Sequence, residues 1–263
     1  MISKMSHLLG SRWGIAIKIL PLVLVIVVLK IFAHLLGWEF LTLNSLFTAL
    51  ISANVFLIGF LISGVLVDYK ESEKVPGDLA ASLEALADEG KIILEAKQSP
   101  IAQEYLMHVV KLGRTLLGWF YKKVKTTELL DVIERLNYYF LAFEPLTQAN
   151  FIVRLKQEQN LIRKTINRVH TIRETTFLGT GYAIVELITG ILVFGFLFIR
   201  IEPFYESLFF IAFVSFMLIY MIFFIKDLDN PFGYAEQESL VEDVSLQPVS
   251  QGCERLERYL STK

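Results

Sequence analysis

Four apolar stretches of membrane length are the feature that most restricts the fold of this chain. They cover about residues 15–36, 45–67, 177–199 and 204–225. Each holds roughly 20 residues or more, and about 20 residues of α-helix span the hydrocarbon core of a bilayer. The composition agrees, because 54% of the 263 residues are hydrophobic and 21 are phenylalanine. The sequence therefore predicts an integral membrane protein with several spans.

The first apolar stretch has a second interpretation, which is a cleaved secretory signal. Lys4 and Arg12 precede its apolar run, as they would in a signal peptide, but no small-x-small cleavage site follows Leu29. A retained helix is therefore the prediction. Lys18 and Lys30 lie within this helix, and we expect their side chains to reach the membrane surface or to face protein.

The four stretches form two hairpins on either side of a polar segment. We expect an N-terminal transmembrane hairpin in residues 1–67, a cytosolic helical region in 68–176, a second transmembrane hairpin in 177–225 and a cytosolic tail in 226–263. The short links within the hairpins hold only one lysine or arginine, Arg200. The positive-inside rule then predicts that both termini are cytoplasmic, in the inner membrane if the chain is bacterial. The cations that lie on the other side are Lys4, Arg12, Lys70, Lys74, Arg168, Arg173 and Lys226.

Apolar residues recur near helical spacing throughout the polar middle segment. Helices are predicted to begin near Val75, Pro100, Thr126 and Pro145, each at a typical helix-start signal. No alternating pattern of apolar and polar residues competes with this interpretation. The predicted fold class is all-α, with four transmembrane helices in two hairpins and a cytosolic helical region.

The residue types that catalytic and metal sites require do not occur at useful spacings. Cys253 is the single cysteine, the four histidines are not at metal-ligand spacing, and HExxH, CxxC, GxSxG and P-loop motifs do not occur. The formal net charge of -2 gives no basis for a nucleic-acid partner. The sequence predicts a protein that is not an enzyme and that carries no metal or cofactor.

One basic run, Lys122-Lys123-Val124-Lys125, stands out in the middle segment. Lysines in such a run contact anionic lipid only if they lie close to the membrane. Simple solvation is the default interpretation.

Two features inside the apolar stretches have alternative interpretations. Glu186 lies near the middle of the third stretch, where a carboxylate is costly. It is either an ion or proton site or a structural carboxyl, paired with Lys18 or Lys30. Ser52, Phe56 and Phe60 lie four residues apart and so share one helix face. That face either contacts lipid or the protein core, or it lines the axis of a ring of identical subunits. In the second case, rings of apolar side chains control ion flow by excluding water from the pore.

Two motifs resemble sequence motifs of the bestrophin family of ion channels. Phe56-Leu57-Ile58-Gly59-Phe60 is similar to the F-x-x-G-F stretch of the second bestrophin helix, and Asn230-Pro231-Phe232-Gly233 is similar to the signature after the fourth span. The layout of spans and cytosolic helices resembles that of the bacterial members. The resemblance implies a homopentameric channel with an axial pore along the second span, its neck formed by Ser52, Phe56 and Phe60. It implies passage of small ions, with an anion such as chloride favoured and a monovalent cation possible.

The tail departs from the animal bestrophins, in which a run of acidic residues after this signature helps to bind calcium. Only Glu236 and Glu238 stand there, which argues against a calcium site of that kind. The expected partners are the lipid bilayer, identical copies of the chain and small inorganic ions. Two other functions remain open at this point: a non-conducting membrane scaffold that binds a partner through its cytosolic helices, and a proton-coupled transporter that uses Glu186.

Overall fold

The structure, a computed structural model, describes residues 13–174, 179–233 and 244–261. Nearly all regular structure in these ranges is helical, and the predicted all-α class is confirmed. Two short strands, β1 (Leu41–Thr42) and β2 (Ile199–Arg200), pair in parallel. A two-residue bridge is too short to produce the alternating pattern from which strands are predicted. The helices are α1 (Gly14–Leu35), α2 (Ser45–Ser72), α3 (Val75–Lys97), α4 (Pro100–Phe120), α5 (Thr126–Glu134), α6 (Leu136–Phe143), α7 (Ala149–Glu174), α8 (Gly179–Leu197), α9 (Phe204–Leu228) and α10 (Gln247–Ser261).

The described chain divides into two compact units. The membrane unit comprises residues 13–69 and 179–231, and the helical unit comprises residues 70–174, 232–233 and 244–261. Four helical stretches are long and apolar enough to cross a membrane, and they contain α1, α2, α8 and α9. The four predicted spans are therefore confirmed as helices. The second helix extends five residues beyond the predicted end of its span. The apolar stretch ends where polar residues begin, but polar residues do not end the helix.

The core of the membrane unit lies between one face of each spanning helix. Ile19 of α1, Ile58 of α2, Leu192 of α8 and Ile211 of α9 are each at most 3% exposed. The opposite faces of these helices remain exposed. That division is usual for spanning helices, because lipid or further subunits cover the outer faces.

The helical unit has a separate core. Helices α3 and α4 are joined by a two-residue turn, in which Gln98 takes the left-handed conformation (φ 46°) and Pro100 begins α4. A β-carbon at Gly90 would lie 2.7 Å from the Tyr105 ring, so glycine is required where these helices cross. The fully buried members of the core include Leu79, Leu86, Leu106, Leu112, Leu116, Phe120, Ile133, Phe143, Leu155, Ile162 and Ile166.

Two of the predicted cytosolic helices differ from the observed ones. The helix predicted from Thr126 is interrupted at Arg135, because side chains take the carbonyl groups of its last turn. His108 Nε2 donates to Val132 O (2.8 Å), and Gln159 Nε2 donates to Ile133 O (2.7 Å). The helix predicted from Pro145 instead begins at Ala149. Such side-chain competition for backbone groups is not visible in local periodicity.

Candidate pore-lining face and intramembrane charges

Helix α2 presents two distinct faces within the membrane unit. Asn54, Ile58 and Val65 are buried on one face. Phe56 and Phe60 lie on the other, 74% and 59% exposed, and Ser52 is exposed beside them. The structure thus brings the three predicted residues together on one face, which is directed away from the core of this unit. Residues four apart advance only about 40° around a helix, so the face is narrow.

A buried hydrogen bond orients α2. Asn54 Nδ2 donates to Thr189 Oγ1 of α8 at 2.8 Å, and both side chains are almost completely buried. A polar pair in an apolar interior is costly to separate, so it selects one rotation of α2 against α8. That rotation exposes Phe56 and Phe60. This pair was not predicted, although an asparagine inside an apolar stretch is itself a signal.

Small residues separate the aromatic side chains on the exposed face of α2. Gly59 has open space beside it, since an added β-carbon would meet no atom within 4 Å. The Ser52 hydroxyl donates to Thr48 O and the Ser63 hydroxyl to Gly59 O, both at 2.9 Å. The exposed face of α9 is large and apolar instead, with Phe209, Phe210, Phe213 and Met217. The exposed face of α8 is mixed, since Ala183 and Gly190 lie among Ile184, Leu187, Ile191 and Phe194.

Glu186 is engaged in an ion pair. Lys226 Nζ lies 2.5 Å from Glu186 Oε1, and the two side chains are 53% and 44% exposed. The predicted pairing of Glu186 with Lys18 or Lys30 is therefore wrong. The pair lines a cleft of about 310 Å³ between α1, α8 and α9. A paired carboxylate is the arrangement expected of the structural interpretation, since each charge lowers the cost of placing the other in the membrane.

Lys30 has a different and fully buried partner set. Its ammonium group donates to Glu39 Oε1 (2.6 Å), to Leu197 O (3.3 Å) and to Ile199 O. All donors of this buried cation thus have acceptors, in agreement with the expectation that Lys30 faces protein or reaches the surface.

Glu39 links this lysine to His34. His34 Nδ1 lies 2.8 Å from Glu39 Oε2, and its ring stacks on Phe204 with centroids 3.8 Å apart. Burial raises the pKa of the Glu39 carboxyl, but the hydrogen bonds and charges of Lys30 and His34 outweigh it and hold that pKa below 4.5. Glu39 lies in the link between the first two spans and was not among the predicted site residues.

The signature after the last span places one aromatic side chain in the helical unit. Phe232 is fully buried, and its ring lies 5.7 Å from the ring of Phe120. The Arg173 guanidinium lies over both rings and donates to Phe120 O at 2.9 Å. Pro231 is also buried, whereas Asn230 is exposed and Gly233 is half-buried. Phe232 therefore acts as a packing anchor.

The acidic residues considered for calcium, Glu236 and Glu238, lie outside the described residues, as do Lys4 and Arg12 of the orientation argument. Within the described ranges, no group of three or more histidine, cysteine, aspartate or glutamate side chains is arranged to hold a metal ion.

Comparison with solved structures identifies the fold. No protein-family model and no curated protein matches the sequence. Three structures of variants of a bacterial bestrophin homologue from Klebsiella pneumoniae do match, with TM-scores of 0.75, 0.76 and 0.75 and sequence identities of 15%, 16% and 15%. The matches cover 92–93% of this chain and 97–99% of those chains. The resemblance that the two motifs indicate is confirmed at the level of the fold: this chain is a membrane protein with the bestrophin fold.

Proposed function

We propose that this chain is the subunit of a bestrophin-like ion channel, in which five copies surround an axial pore lined by α2. The observation that carries the proposal is the exposed face of α2, where Ser52, Phe56 and Phe60 are directed away from the core of the membrane unit. Such a face requires a cover, and identical copies related by a rotation axis supply one. The three side chains would then form three stacked rings around the axis.

The small residues on this face favour a pore over a surface covered by lipid. Between Phe209 and Met217, the exposed side chains of α9 are all large and apolar, as is common for a surface covered by lipid. On α2, by contrast, Ser52, Gly59 and Ser63 lie between or beside the phenylalanines. Small and hydroxyl side chains allow close approach of helices and leave room for water. This contrast with α9 supports the assignment of α2 to the axis.

The mechanism is passive flow through a narrow apolar neck. Rings of Phe56 and Phe60 make a constriction that dewets when it is narrow and conducts when it widens. Ser52 forms a wetter ring, because its hydroxyl offers a hydrogen-bond partner to water. No bond is made or broken, so the protein acts without catalysis.

An anion such as chloride is the favoured permeant ion, with a monovalent cation as the alternative. Phenyl rings present a positive edge to anions and a negative face to cations, so the orientation of the rings at the neck decides between them. The charges that line the rest of the pathway contribute as well.

The proposed orientation places both termini and the helical unit in the cytoplasm, following the lysine and arginine distribution. In a bacterium the membrane would be the inner membrane.

A reversal potential tests conduction and selectivity together. We expect purified protein in a planar bilayer under a KCl gradient to give currents that reverse away from zero voltage, with the sign set by the favoured ion. Silence from folded, oligomeric protein would contradict the channel and favour the scaffold.

A matched pair of double variants tests the neck. We expect Phe56→Ala with Phe60→Ala to raise single-channel conductance or leak, because removing two phenyl rings per subunit widens the constriction. Phe209→Ala with Phe213→Ala is the control, since these side chains are also exposed and four residues apart, but lie on α9. Equal conductance of the neck variant and the wild type would rule out this neck.

A further inference from the structure

The turn between α4 and α5 carries a compact positive charge. Lys122, Lys123 and Lys125 are all exposed, and no acidic residue lies between Tyr121 and Lys125. Lys123 Nζ lies 5.9 Å over the Tyr121 ring, so the aromatic residue borders the same surface. Three ammonium groups on one turn form a surface suited to phosphate oxygens.

The turn is well defined, and one lysine occupies a strained position in it. Lys122 has φ 56°, and it donates its backbone N–H to Trp119 O while Lys123 donates to Gly118 O (2.8 Å). These are the two hydrogen bonds of a Schellman motif, whose left-handed position favours glycine. Val124 packs within 2.9 Å of the β-carbon position of Gly118. Glycine at position 122 would suit folding better, so folding alone does not explain the lysine.

The packing of α3 against α4 places this turn beside the start of α3. Tyr105 donates its hydroxyl to Leu86 O, and Leu83 lies beside Gly113, so the two helices run antiparallel. The end of α4 therefore lies beside the start of α3, which follows the end of α2 by three residues.

Two further contacts join the same end of α4 to residues that lie close in sequence to other spans. The Arg173 guanidinium lies 4.7 Å over the Trp119 ring, and Arg173 precedes the start of α8 by six residues. Phe232 packs on Phe120 and follows the end of α9 by four residues. At about 3.5 Å per extended residue, these segments reach no more than roughly 21 and 14 Å. The end of α4 thus contacts residues that three short chain segments connect to α2, α8 and α9.

We propose that the α4–α5 turn binds the phosphate groups of anionic phospholipids in the adjacent membrane leaflet. The condition for such a contact is closeness to the membrane, and the three short connections to spans are the features of the chain that support it. Lysines near an anionic membrane surface are attracted within about one Debye length, which is roughly 10 Å. Tyr121, with an apolar ring and a polar hydroxyl, is suited to the membrane–water interface.

The test measures lipid binding to the full-length protein in detergent. Native mass spectrometry with added phosphatidylglycerol or phosphatidylcholine gives the affinity for each lipid. We expect wild type to prefer phosphatidylglycerol, and Lys122→Gln with Lys123→Gln and Lys125→Gln to weaken phosphatidylglycerol binding by about tenfold or more. The control, Lys91→Gln with Lys97→Gln and Lys156→Gln, removes the same charge elsewhere in the helical unit and is expected to bind as wild type does.

A single variant separates the lipid contact from folding. Lys122→Gly removes one charge and the strained side chain together, so we expect a higher Tm and about fivefold weaker phosphatidylglycerol binding. Equal phosphatidylglycerol affinity of the wild type and the turn variant would overturn the proposal. A loss of the same size in the control variant would also overturn it, because the effect would then reflect net charge and not this turn.

Discussion

Lys30 shows at the scale of one residue how a charge is accommodated inside the membrane unit. The side chain is fully buried, yet its ammonium group reaches one carboxylate and two backbone carbonyls. The carbonyls belong to Leu197, the last residue of α8, and Ile199, the first residue of β2. The lysine therefore connects α1, the first link and the end of α8 within one unit.

Removal of this lysine should destabilise the membrane unit. We expect Lys30→Met to lower the free energy of unfolding by about 3–5 kcal/mol, because Glu39 and two carbonyls lose their buried donor. The measurement is denaturant unfolding in detergent. Lys18→Met is the matched control, since Lys18 lies on the same helix but is exposed, and we expect a change below about 0.5 kcal/mol. Similar losses in both variants would contradict this role.

The same cluster predicts an acid-sensitive step. Burial raises the pKa of Glu39, but Lys30 and His34 outweigh it, so the folded-state pKa lies below the ordinary value of 4.5. The interactions that lower this pKa stabilise the fold fully above pH 4.5. Their contribution is lost as the pH falls through the folded-state pKa of Glu39. We expect the Tm of wild type to fall more steeply below pH 4.5 than that of Glu39→Gln. Parallel pH profiles would show that Glu39 contributes nothing.

At the scale of elements, the crossing of α4 and α10 depends on one glycine. A β-carbon at Gly113 would lie 2.3 Å from Cys253 Sγ, which is buried on α10. Ion pairs border the crossing, with Arg114 holding Glu257 at 2.6 Å and Arg255 contacting Glu84. The close approach of the two helices thus requires both a missing side chain and a small thiol.

A double-mutant cycle tests this crossing. We expect Gly113→Ala to destabilise the helical unit by about 1–3 kcal/mol through overpacking. Adding Cys253→Ala removes the sulfur atom and should restore most of the loss, because only ordinary contacts remain, with Leu83 Cδ1 at 3.5 Å and the Cys253 β-carbon at 3.9 Å. Thermal unfolding of the four proteins gives the coupling. Strictly additive effects would mean that the helices move apart to accommodate the added methyl group. The contact of that methyl group with the Cys253 sulfur would then not limit their packing.

At the scale of the whole molecule, the proposed channel requires assembly. One chain has a mass of 30.1 kDa, so a homopentamer has a protein mass of about 150 kDa. We expect chemical cross-linking in detergent to end at the five-chain band and light scattering to give that mass after correction for detergent. A dimer or a monomer would contradict the axial pore, since a closed ring of α2 faces would not form.

The four spans and the all-α class could be predicted from the amino-acid sequence, because hydropathy over about 20 residues and helical periodicity are local properties of a chain. The two motifs around Phe56 and Phe232 also indicated the fold that comparison confirms. The spacing of Ser52, Phe56 and Phe60 predicted a shared face, since residues four apart meet on any helix.

Which side chains contact each other across the membrane unit could not be predicted and follows from the folded arrangement. This arrangement pairs Glu186 with Lys226 and not with Lys18 or Lys30, and it joins Asn54 to Thr189 across 135 residues of sequence. Such pairs depend on how each helix is rotated against its neighbours, and that rotation results from packing between segments distant in the chain. The exposure of Phe56 and Phe60 follows from the same rotation, so periodicity could place them on one face but could not say what that face contacts.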